Sequence, residues 1–94
     1  MPVESAQDDS AAAGGNRILV IEDQTEVREL LVNYLNVQGY DTKMAENGLD
    51  ALFMLEQWQA DLVTVDLNMP VMNGHNFIAK AMQRWPDMPI VVVS

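Results

Sequence analysis

Ile18-Leu19-Val20-Ile21-Glu22-Asp23 and Leu62-Val63-Thr64-Val65-Asp66 decide the fold of this chain. Each is a short apolar run, rich in β-branched residues, that stops abruptly at acid. Runs of this kind read as strands buried on both faces of a parallel sheet. In such sheets the ligand crevice lies just beyond the carboxyl ends of the strands. Glu22, Asp23 and Asp66 are therefore expected at one end of one sheet. Like charges that close repel unless a cation lies among them, and hard carboxylate oxygens suit Mg²⁺.

Outward from these runs, strand-like and helix-like periods alternate. Strand one spans Arg17 to Ile21. Val27, Leu30, Leu31, Tyr34 and Leu35 recur on one helical face and predict a first helix from about Thr25 to Val37, with Gly39 as its stop. Tyr40 to Ala45 alternates with charged residues, as an edge strand does. Asn47, with Asp50 three residues on, caps a second helix that turns Ala51, Leu52, Leu55 and Trp58 inward and ends near Gln59. Strand three is Leu62 to Val65. A third helix, about Asn76 to Trp85, places Phe77, Ile78, Ala81, Met82 and Trp85 on one face, and Pro86 and Pro89 end it. Strand four is Pro89 to Val93. With right-handed crossovers this β-α-β-α-β-α-β order gives a doubly wound α/β fold, and an edge position for strand two favours a 2-1-3-4 sheet.

Composition narrows the function. Ninety-four residues suit one small domain, and 49% hydrophobic residues suit a globular one. Residues 1–16 are small, polar and acidic, and are expected to form a disordered tail, leaving 17–94 as the domain. No run is long enough to cross a bilayer, and Met1-Pro2-Val3-Glu4-Ser5 lacks the start of a secretory signal. Without cysteine there is no disulfide and no thiolate metal site, which fits a cytoplasmic location. A formal net charge of −9 disfavours direct contact with nucleic acid or anionic membrane.

Three stretches together resemble the receiver domain of two-component response regulators, of CheY-like, flavodoxin-like fold. They are Val20-Ile21-Glu22-Asp23, then Asp66-Leu67-Asn68-Met69-Pro70-Val71-Met72-Asn73-Gly74, then Pro89-Ile90-Val91-Val92-Val93-Ser94. The resemblance covers Arg17 to Ser94. It implies a phosphoacceptor rather than an enzyme, phosphorylated on Asp66 by a sensor histidine kinase or phosphotransfer protein and switching an output or partner. It implies Mg²⁺ held by Asp23, by Glu22 through water, by Asp66 and by the backbone carbonyl of Asn68, with Ser94 as the switch hydroxyl. The chemistry agrees: a carboxylate can accept a phosphoryl group as an acyl phosphate, Mg²⁺ neutralises charge on both partners, and the added group brings about −1.5 to −2 charge.

Plainer roles stand beside these. Glu22 and Asp23 can cap helix one, Asp66 can be a turn residue, Ser94 an ordinary strand residue. His75 reads as solvated, Gly74 as a backbone requirement, and Trp58 and Trp85 as packing.

The match has departures. Glu22 stands where aspartate is commoner. The family's further helix, fifth strand with its lysine, and last helix have no counterpart here, and neither Lys43 nor Lys80 is placed to replace that lysine. The chain is therefore expected to be a fragment of a longer regulator or to be completed by another chain, with phosphorylation of this piece alone impaired. An open strand-four edge, Ile90 to Val93, invites pairing or strand swapping into a homodimer. A Mg²⁺-dependent phosphohydrolase is disfavoured, because the second aspartate common two residues after its nucleophile is Asn68 here. A degenerate receiver acting only as an interaction module is the alternative.

Overall fold

The structure, a computed structural model, describes residues 16–69 and 72–93. The expected tail therefore lies outside the described residues apart from Asn16, as do Pro70, Val71 and Ser94. Seven elements follow in chain order: β1 (Arg17–Ile21), α1 (Thr25–Val37), β2 (Asp41–Ala45), α2 (Gly48–Gln57), β3 (Leu62–Val65), α3 (Gly74–Arg84) and β4 (Ile90–Val92). All strand pairs are parallel and the sheet order is β2-β1-β3-β4, as the 2-1-3-4 expectation required.

Strand register explains where the core sits. Leu19 pairs with Val63 and Ile21 with Val65, so four fully buried side chains share one face. Ala51 and Leu55 of α2 and Phe77 and Ala81 of α3 close that face into the main core. Ile18 and Val20, buried but outside this cluster, point to the other face, where α1 lies against β1 and β2. Helices on both faces make the sheet doubly wound.

Local signals place the element ends. Gly39 adopts φ 97°, a left-handed conformation open to glycine, and ends α1. Its N–H donates to the Asn36 carbonyl at 3.0 Å, and the Tyr40 N–H donates to the Leu35 carbonyl at 3.1 Å, the paired bonds of a Schellman cap. Asn47 caps α2, its side-chain oxygen accepting the Asp50 N–H at 2.8 Å. Asp50 completes only part of a capping box, since its carboxylate meets the Asn47 side-chain amide (3.5 Å).

Three expectations need correction. No residue of α1 is fully buried, and Val27, Leu30 and Tyr34 of its expected apolar face are 39%, 70% and 62% exposed. The helix rests on only two strands, so it covers a narrow strip; its least exposed positions are Arg28, Leu31, Val32 and Leu35. Met82 of α3 is likewise exposed, one step off the line of Phe77 and Ala81. Helix α3 begins at Gly74 rather than Asn76, because Asn73 is the cap: its side-chain oxygen accepts the Asn76 N–H at 2.9 Å. Strand β4 forms the second edge of the sheet, with Val91 and Val92 about half exposed.

Candidate metal centre

Main-chain bonds build this site before any side chain does. The Glu22 N–H donates to the Ala45 carbonyl at 3.0 Å, and the Asp66 N–H donates to the Ile21 carbonyl at 3.2 Å. Each bond carries a parallel ladder one residue past the last strand residue. Glu22 and Asp66 thus leave the sheet next to each other at its carboxyl end, where a crevice is expected in such folds.

Glu22, Asp23 and Asp66 each present a carboxylate oxygen, and these three oxygens lie within 4.8 Å of one another. Glu22 is buried, with 5% of its surface exposed, while Asp23 and Asp66 are half-buried. Among the described residues none of the three forms an ion pair with a basic side chain; the ion pair found there is Glu56–Arg84, on α2 and α3. Burial is the main reason the Glu22 carboxyl titrates above its usual range. The Gln24 N–H, donating to Glu22 Oε2 at 3.2 Å, pulls the other way, and the neighbouring Asp66 and Asp23 carboxylates push it up again. Three carboxylate oxygens converging in so small a space, one of them buried, form a hard-oxygen donor set that fits a divalent cation such as Mg²⁺.

The loop after β3 is held from both sides. Asp66 Oδ1 accepts the N–H of Asn68, an exposed residue, at 3.0 Å, which fixes the carboxylate's orientation. Gly74 donates its N–H to the Leu67 carbonyl at 3.1 Å. A Cβ at Gly74 would lie 2.6 Å from both the Asp66 carbonyl oxygen and Leu67 Cα, so α3 can start against this loop only with glycine there. The Gly48 N–H, at the start of α2, reaches the Met72 carbonyl at 3.3 Å and ties down the loop's far limb.

Other sequence candidates fall away from the cluster. His75 is exposed in the first turn of α3. Lys43 lies over the Trp58 ring, 5.7 Å from its centre, and Lys80 is exposed on α3. One residue was missed. Arg28, on helix one, is not among the residues singled out from the sequence, yet its Nη1 donates to the Glu22 carbonyl at 2.8 Å and approaches the Asp23 carbonyl at 3.4 Å. The signal was there: a cation near a helix N-terminus opposes the helix dipole and needs another partner.

The model of the response regulator receiver domain matches residues 18–94. The chain belongs to the response regulator receiver domain family. One relative, protein-glutamate methylesterase/protein-glutamine glutaminase 3 of Rhodospirillum rubrum, is 35% identical over 79 residues, covering 83% of this chain and 21% of that protein. The regulator of RpoS of Escherichia coli K12 is also 35% identical, over 85% of this chain and 24% of its own length. The chain thus spans about a fifth to a quarter of these curated relatives.

Among solved structures, the response regulator TrrA of Thermotoga maritima, crystallised in complex with Mg²⁺-BeF, superposes with a TM-score of 0.79 at 35% identity, covering 82% of this receiver and 67% of TrrA. TrrA has also been crystallised with the histidine kinase ThkA. No helix among the described residues is long and apolar enough to cross a membrane.

Proposed function

We propose that this receiver is a phosphoacceptor: it binds Mg²⁺ at Glu22, Asp23 and Asp66 and takes a phosphoryl group from a histidine kinase or phosphotransfer protein onto Asp66. The observation that carries this reading is the convergence of three carboxylate oxygens within 4.8 Å, one from a buried glutamate, without a basic side chain among the described residues to neutralise them. Membership of the receiver family and the likeness to TrrA, a protein crystallised with Mg²⁺-BeF and with a kinase, support it.

Within the site the residues divide the labour. Asp66 is the nucleophile, with Oδ1 oriented by the Asn68 N–H. Asp23, half-buried, and the deeper Glu22 would hold Mg²⁺ beside Asp66, with Asp23 the more accessible ligand. The Asn68 carbonyl supplies a further neutral oxygen, and Ser94 the hydroxyl that answers the new charge. Bound Mg²⁺ would offset the negative charge on both Asp66 and an incoming phosphoryl group. In the transfer, an Asp66 carboxylate oxygen bonds to phosphorus as the donor's phosphorus–nitrogen bond breaks, and the donor imidazole keeps the electron pair. The receiver itself is no enzyme in this reading; its state switches a partner or an output in the cytoplasm.

Intact-mass measurement with a small phosphodonor tests the reading, in this chain and in a form extended past Ser94. The expected result is a Mg²⁺-dependent gain of one phosphoryl group, full in the extended form and weaker in this chain, that Asp66→Asn abolishes. Absence of both Mg²⁺ binding and label in the extended form would favour an interaction module instead, and repeated turnover of phosphate esters would favour a hydrolase.

A further inference from the structure

We propose that Arg28 is a positioning residue for the acidic cluster: its guanidinium clamps the main chain of Glu22 and Asp23 and so sets where their carboxylates stand. The inference rests on the Mg²⁺-binding reading given above and adds to it a residue outside the acids themselves.

The geometry is a side chain folded back over the loop that precedes its own helix. The Arg28 backbone N–H donates to the Gln24 carbonyl at 2.9 Å, as the first turn of α1 requires. From there Nη1 reaches the Glu22 carbonyl oxygen at 2.8 Å and the Asp23 carbonyl oxygen at 3.4 Å, and Nη2 lies 3.4 Å from Thr25 Oγ1. Three of the four residues that follow β1, Glu22, Asp23 and Thr25, are therefore met by donors from one fork. Beside these, Glu22 is pinned to β2 through its N–H and accepts the Gln24 N–H on Oε2 at 3.2 Å, while Gln24, the helix cap, makes no side-chain capping bond. Carbonyl oxygens that are held fix the peptide planes on either side of Asp23, and with them the direction in which its side chain leaves. Arginine suits this task because its planar fork can serve two acceptors at once.

Charge and position predict opposite outcomes. If Arg28 acted only as a nearby positive charge, its removal would relieve repulsion and tighten Mg²⁺ binding. If it orders the ligand loop, its removal loosens binding, by about tenfold on the usual scale for residues that orient metal ligands.

Isothermal titration with Mg²⁺ distinguishes the two, applied to the wild-type chain, Arg28→Ala and Arg28→Lys, with folding checked by far-UV circular dichroism and amide exchange. The expected result is about tenfold weaker binding for Arg28→Ala and a smaller loss for Arg28→Lys, which keeps the charge but not the fork. Exchange of the Gln24 amide should quicken while the β1 amides stay protected, a local loosening that a general loss of stability does not give. Should the alanine variant unfold, Arg28→Lys carries the test, because equal affinity to wild type overturns the proposal. Unchanged or tighter binding by a folded Arg28→Ala overturns it alone; a wild-type chain that binds no Mg²⁺ overturns the metal reading as well.

Discussion

The Asp66 backbone N–H donates to the Ile21 carbonyl oxygen across 3.2 Å, joining the ends of two strands that lie 45 residues apart in the chain. That bond fixes the distance between acids from separate segments. Glu22 follows Ile21 directly, so its carboxylate and that of Asp66 are neighbours by main-chain geometry, whether or not they repel. The sheet supplies the energy that holds like charges together, with Leu19, Val20, Ile21, Val63 and Val65 almost wholly removed from water.

Removing one of those charges should stabilise the metal-free chain. Asp66→Asn keeps the side-chain shape and an oxygen for the Asn68 N–H, while deleting a carboxylate within 4.8 Å of two others. The expected gain is about 1 kcal/mol, discounted for the partial solvent exposure of the site. Thermal melts without Mg²⁺ should show a higher midpoint for the variant, and Mg²⁺ should raise that midpoint less than in wild type. A variant that melts lower without metal would contradict the crowding of charge described above.

Glu22 makes the same point through pH. Burial raises its folded-state value above that of the unfolded chain, so between the two the folded protein binds the extra proton. Its contribution to metal-free stability must therefore fall as pH rises through that window, and recover as pH is lowered again. Mg²⁺ competes with the proton, so its stabilising effect should grow over the same rise. Glu22→Gln cannot titrate and should flatten both dependences; melts of the two proteins across the acidic range, with and without Mg²⁺, check this.

Gly74 is a point of steric rather than electrical control. Gly74→Ala drives a methyl group into the Asp66 carbonyl and Leu67 Cα, backbone atoms with little freedom to move. About 1–3 kcal/mol of lost stability is expected, with a displaced loop after β3. Urea titration measures the first, and a chemical-shift change at the Asn68 amide reports the second. Wild-type stability and shifts would show that the helix start can slide away.

The core and the surface ion pair should differ sharply. Phe77 is fully buried between α3 and the sheet, and Phe77→Ala is expected to cost about 3–5 kcal/mol. Glu56 and Arg84 form an ion pair on exposed helix faces, so Glu56→Gln should change stability by less than about 1 kcal/mol. Parallel denaturant curves rank the two.

Much of this architecture is legible in the residues themselves. Apolar runs with abrupt acidic ends are local patterns, and they place β1 and β3; the Asn47 cap and the Gly39 stop are equally local, and all stand where the periodicity puts them. The alternation of Tyr40 to Ala45 identifies the edge strand, and from it the sheet order. What escaped is set by neighbours distant in sequence. Leu30 and Tyr34 fit a helical stripe, but how much of a stripe is buried depends on what lies opposite, and α1 faces only two strands. Arg28 looks like any polar helix residue until the loop before it is folded back within its reach. Local sequence thus determined the elements, their order and which acids end the strands, because caps, periods and strand propensity act over a few residues. The tertiary structure alone decided how closely Glu22, Asp23 and Asp66, expected at one end of the sheet, draw together and that a single arginine spans the loop after β1, because distances between separate segments exist only once the sheet has formed.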